Sequence, residues 1–131
     1  MGKLTATICM TIAVFVGSSA NAEQVLYCQS ELAQGFAKQS GRWVGTRFSN
    51  ERYTIKFNDD FSEVRGVKGR DFTCKTWSFL IMCREAYVTV PSTFIYNPDK
   101  GRFILSITSV FGYINDGNDG DALLAGKCEK F

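Results

Sequence analysis

Arg52-Tyr53-Thr54-Ile55-Lys56-Phe57 alternates without a break. Tyr53, Ile55 and Phe57 fall on one side of an extended chain, and Arg52, Thr54 and Lys56 on the other. A period of two is the mark of a strand with one face in a core and one in water. Asn58-Asp59-Asp60 then supplies a turn.

Outward from this segment the pattern repeats. Further strands are expected at 24–29, 42–49, 63–68, 70–77, 79–90, 93–97, 102–109 and 122–130. The breaks between them are Gln39-Ser40-Gly41, Ser49-Asn50-Glu51, Lys68-Gly69-Arg70, Asn97-Pro98-Asp99-Lys100-Gly101 and the run from Asn115 to Gly120. These residue types tolerate or preset turn dihedrals. Residues 30–38 alone have helical character, and Gly35 limits them to a single turn. Many short strands with closely spaced turns predict an all-β domain, a small antiparallel barrel or sandwich of about eight strands. Each strand has only one apolar face, so the sheet must close on itself or meet a second sheet.

The N-terminus reads differently. Lys3 precedes an uncharged, apolar-rich run from Leu4 to Val16, and Ala20-Asn21-Ala22 offers small residues at cleavage spacing. Charge, apolar run and small-residue site in this order predict a signal peptide over 1–22 and a single domain over 23–131. The apolar run is short of the ~20 residues a spanning helix needs. No stable membrane anchor is expected, and the product is expected in the periplasm or outside the cell. Cys9 would leave with the signal. Cys28, Cys74, Cys83 and Cys128 remain, an even set that implies two disulfides in an exported chain. Of three connectivities, Cys74–Cys83 closes a hairpin-sized loop and Cys28–Cys128 ties the first segment to the last. The chain-entropy model assigns these loops about 2.7 and 4.7 kcal/mol. Linked ends would place the first and last strands side by side, which favours a closed barrel.

The 131 residues carry 15 basic and 13 acidic side chains. A net charge of +2 is too small to argue for nucleic acid. Histidine is absent from the sequence. That removes Ser-His-Asp and Cys-His catalysis, imidazole zinc sites and histidine pH switches together. No cofactor motif is present.

Several segments invite a functional reading. Asn115-Asp116-Gly117-Asn118-Asp119-Gly120-Asp121 has the composition of a calcium loop, with Asp116, Asn118, Asp119 and Asp121 as candidate ligands. In an EF-hand register, however, Gly117 falls where an oxygen ligand is required, so a surface turn is the simpler reading. Asp59, Asp60 and Glu63 offer a carboxylate pair for sugar chemistry, to be weighed against ordinary solvated turn residues. Segment 38–75 has a basic excess interleaved with Trp43, Phe48, Tyr53 and Phe57. This is either a polyanion groove or the solvated face of alternating strands. Trp43, Tyr53 and Trp77 are the candidate binding residues, since large aromatics dominate recognition energetics.

Gly41-Arg42-Trp43 resembles the G-x-W motif that opens the barrel of lipocalins and avidins. There the Trp closes one barrel end beneath a basic side chain from a late strand, a part the resemblance implies for Lys127. Tyr27-Cys28, Gly35-Phe36, Trp43, Arg52–Phe57 and Gly126–Phe131 resemble small exported proteins of marine alphaproteobacteria and their phages, a group that brings no activity with it. The plan of signal, four cysteines and β domain is similar to periplasmic lysozyme inhibitors of the C-type class, whose inhibitory-loop motif has no match here. The expectation is an exported, non-enzymatic binding protein. Its ligand would be an envelope protein such as a wall hydrolase, or a small apolar molecule. The alternatives are a structural envelope component and a carboxylate enzyme acting on envelope glycans.

Overall fold

The computed structural model describes residues 23–130. The stretch 1–22, read as an export signal, lies outside them. Nine strands form, each antiparallel to its neighbours: β1 Gln24–Gln39, β2 Arg42–Arg47, β3 Arg52–Phe57, β4 Glu63–Val67, β5 Arg70–Trp77, β6 Leu80–Glu85, β7 Thr93–Asn97, β8 Arg102–Ile107 and β9 Asp121–Lys130. From β3 to β9 each strand pairs with the next, and β1 closes the ring between β3 and β9. The result is an eight-stranded up-and-down barrel. β2 is a ninth strand hung on the far half of β1, with its outer edge open.

The opening hexapeptide behaves as its alternation requires. Tyr53, Ile55 and Phe57 are buried while Arg52, Thr54 and Lys56 face water. The interior is filled with side chains. Phe57 lies against Phe61, Phe94 and Tyr96, with ring centroids at 5.3, 6.5 and 5.7 Å, and Phe94 meets Phe72 and Phe103 at 6.3 and 5.6 Å. Leu26, Ile55, Val64, Leu105 and Leu124 are among the aliphatic residues of this core.

The helical turn expected at 30–38 is a strand instead. β1 runs straight through it, with a bulge where the pairing to β9 shifts between Ser30 and Leu32. Before the bulge the even residues Leu26, Cys28 and Ser30 point inward; after it Ala33 does. Apolar residues therefore stand on both faces at 32, 33, 36 and 37, a spacing that mimics a helical period. Ser30 is fully buried, and its Oγ accepts the Glu51 N–H at 2.7 Å. The strand expected over 79–90 is also shorter. It stops at Glu85, because Tyr87 adopts φ +62° and Pro91 follows.

Two tight hairpins have positive φ at both turn residues, Ser40-Gly41 and Lys68-Gly69, the twist that matches antiparallel strands. Cys28 and Cys128 stand directly opposite each other on β1 and β9, and Cys74 and Cys83 on β5 and β6. Both disulfides form between these partners. The first joins the opening and closing strands of the barrel; the second staples a hairpin. Two such bonds fit an oxidising compartment. No helix among the described residues is long and apolar enough to cross a membrane.

Candidate functional site, a groove and an apolar row outside the barrel

With the interior occupied, the concave features lie on the outer wall. One is a groove of about 1040 Å³ between the β5–β6 hairpin and the loop that follows β6. Its sides are Trp77, Met82, Ala86, Tyr87 and Val88, with Lys75 and Arg84 beside them. Trp77 is 73% exposed and Tyr87 wholly so. Each ring is aimed by the backbone. Trp77 closes β5 opposite Leu80, and the hairpin turns through Ser78 at φ +55°. Tyr87 occupies the left-handed region, which is uphill for an aromatic residue and persists only where the surroundings hold it.

A polar cluster under the loop does the holding. The Glu85 N–H donates to the Ser92 carbonyl at 2.9 Å, closing the loop at its base. The Glu85 carboxylate accepts from the Ser92 N–H and from Arg70, both at 3.1 Å. The Arg70 guanidinium also donates to the buried Ser92 Oγ at 3.0 Å. Tyr87 and Val88 are thus presented from a closed base rather than a slack loop.

The strand register extends this surface. Met82 is directly opposite Ile95, Ile95 opposite Ile104, Ile104 opposite Ala125, and Ala125 opposite Leu32. All five alternate with inward core residues, so they form one apolar row running across β6, β7, β8, β9 and β1 on the outside of the barrel. Leu32 is 63% and Ile104 47% exposed. At the ~4.8 Å spacing of paired strands the row is roughly 19 Å long. Arg102 and Lys127, opposite each other, flank it, and Lys127 lies 3.6 Å from Glu31.

The sequence candidates fall in different places. Trp77 is on the groove. Tyr53 is a correction: it is 8% exposed, its ring meets Phe103, and its hydroxyl donates to Glu51, so it is a core residue. Burial foremost, and the hydrogen bond to Glu51 second, push its pKa well above the usual tyrosine value. Trp43 stands apart from the groove, in a cluster with Phe36 and Tyr113 at 6.1 and 5.3 Å. The part assigned to Lys127 by the G-x-W resemblance is also corrected. Lys127 keeps to Glu31, and the cation over Trp43 is Lys38, 5.8 Å from the ring. Gly41 serves the β1–β2 turn.

The carboxylates of the Asn/Asp-rich segment are engaged by protein donors, Asp116 by residues of β1 and β2, and Asp119 and Asp121 by the loop itself. Asp116 accepts from Trp43 Nε1 and Lys38 Nζ, each at 3.0 Å. These two donors, the indole first, hold its carboxyl below the usual range. Asp119 accepts from Ser109 Oγ at 2.8 Å. Asp121 accepts from the Ser109 and Tyr113 amides at 2.8 and 3.1 Å. Among the described residues no group of three His, Cys, Asp or Glu side chains is placed to share a metal ion, and Asp116, Asp119 and Asp121 form no such group. Asp59, Asp60 and Glu63 are all exposed. The Asp60 carboxyl is lowered by its hydrogen bonds to Ser62, the reverse of what a catalytic acid needs. In the basic stretch, Tyr53 and Phe57 point inward and offer no ring for stacking.

Of the groove's aromatics the sequence singled out Trp77 and not Tyr87, and the apolar row was not visible in it. Its members lie on five strands, and only the register brings them together. No protein-family model, curated protein or solved structure matches the chain.

Proposed function

We propose that this is an exported, non-enzymatic binding protein whose partner is another protein, taken on the outer wall of the barrel. The observation that carries the reading is the apolar row continuing from the Trp77–Tyr87 groove to Leu32. A span of this length suits a macromolecular footprint. The filled interior weighs against a small apolar ligand, because a barrel that carries one must leave room for it. Exposed Trp and Tyr beside Met are typical anchors of protein interfaces. Export rests on the N-terminal pattern and on the two disulfides.

A second reading, a structural component built of many copies, draws on the same row and on the open edge of β2. That edge argues against self-assembly. Antiparallel pairing of two β2 strands in matched register would set Arg42 against Arg47 of the neighbour, and like charges at an edge deter pairing.

The test is affinity capture from an envelope extract with immobilised protein, comparing wild type with Trp77→Ala and Ile104→Asp. The expected result is a protein retained by the wild type and lost with either variant. Identical profiles for all three would reject the outer wall as the binding face. Sedimentation of the free protein separates the two readings: a monomer supports binding, and an ordered oligomer supports assembly.

A further inference from the structure

Resting on that reading, the charge around the groove identifies what it receives. Lys75 is directly opposite Met82, and Arg84 lies two residues farther along the same face of β6, opposite Thr73. Two cations therefore bracket the apolar floor. The groove's only carboxylate, Glu85, is already held by Arg70 and the Ser92 amide, so it does not neutralise them. Along the row the same imbalance continues. Glu31 is paired with Lys127, while Arg102 beside it, like Lys75 and Arg84, has no ion pair among the described residues.

We propose that the groove takes an extended acidic segment of the partner protein, with an aliphatic side chain on Met82 between the Trp77 and Tyr87 rings and carboxylates on Lys75 and Arg84. Charge complementarity sets the sign of the segment. The floor sets its class. Met82, Ala86 and Val88 present hydrocarbon, which rewards an apolar side chain. A glycan would present mostly hydroxyls there and leave many without partners.

The groove carries its own reporter. The chain has two tryptophans, so in a Trp43→Phe background, excited at the red edge of the indole band, the emission is that of Trp77. The probes are an acidic pentapeptide alternating aspartate with leucine, its lysine-for-aspartate counterpart, and a neutral N-acetylglucosamine oligomer. The acidic peptide is expected to shift the Trp77 emission to the blue and saturate. Its affinity should weaken with added salt and fall about tenfold in Lys75→Ala/Arg84→Ala, both exposed positions. Equal binding of the lysine peptide, saturation by the sugar oligomer instead, or no shift with any probe would overturn the assignment. The two levels separate cleanly. If Trp77→Ala abolishes envelope capture while the acidic peptide fails, the groove stands and its ligand chemistry falls. If Trp77→Ala leaves capture intact, the site itself falls.

Discussion

Glu51 is partly buried and held by two donors. Partial burial alone would raise its pKa. The Tyr53 hydroxyl and the Lys68 ammonium, 3.0 Å away, outweigh that effect and leave the carboxyl below its usual value. A depressed folded-state pKa contributes stability that is complete above the unfolded value of about 4.3 and disappears as pH falls through the lower folded value. Glu51→Gln should therefore flatten part of the acid limb, in the range at and below the ordinary glutamate pKa. Urea midpoints across that range check it; an unchanged slope would show that the pairing adds nothing. Tyr53→Phe keeps the ring against Phe103 and removes only the donor. It should cost about 1 kcal/mol at neutral pH and shift the acid limb in the same direction. Much of this was hidden in the sequence. The alternation placed Tyr53 on the core face with Ile55 and Phe57, yet it also stood as a binding candidate, because a tyrosine suits both roles until its hydroxyl finds a partner.

Among the elements, β1 is the one on which the barrel depends, since it pairs with β2, β3 and β9. Its bulge requires close approach of β9. A Cβ on Gly126 would lie 2.0 Å from the Gln29 carbonyl and 2.7 Å from Ser30 Cα, backbone atoms that cannot move aside cheaply. Gly126→Ala should destabilise the fold by about 3 kcal/mol through overpacking. Gly45 on β2 has open space around it, so Gly45→Ala should stay within about 0.5 kcal/mol of wild type. Thermal melts of the two variants decide this; comparable losses would mean that the β1–β9 approach is not tight. Strands with clean alternation and flanking turns, such as Arg52–Phe57, Arg70–Trp77 and Thr93–Asn97, were readable to the residue. The bulge was not, since nothing local marks the residue at which parity changes. For the same reason the outer apolar row stayed invisible. Ile95, Ile104 and Leu32 look like isolated exposed hydrophobes until antiparallel register sets them in line.

At the scale of the whole molecule, closure is the property to test. An up-and-down barrel has one seam where the first strand meets the last, and Cys28–Cys128 lies on it, linking residues 100 apart in sequence. Cys74–Cys83 links residues only 9 apart within a hairpin that its own turn already brings together. Constraint of the unfolded chain is worth about 4.7 kcal/mol for the long loop and about 2.7 for the short one. Replacing Cys28 and Cys128 with alanine should therefore lower stability more than replacing Cys74 and Cys83. Because the seam is where β1 leaves β9, hydrogen exchange should also accelerate along both strands in the first variant. In the second, the change should stay within β5 and β6. The seam variant carries a further consequence for recognition. Leu32 and Ala125, the far end of the apolar row, face each other across that same seam. Loosening it should weaken partner capture while the Trp77 groove, three strands away, still binds the acidic probe. Urea titration, exchange mass spectrometry and the capture assay on one pair of variants measure all three effects. Equal losses from both pairs would mean that the seam bond contributes no more than the hairpin bond, and capture that survives an open seam would mean that partner binding does not depend on closure of the ring.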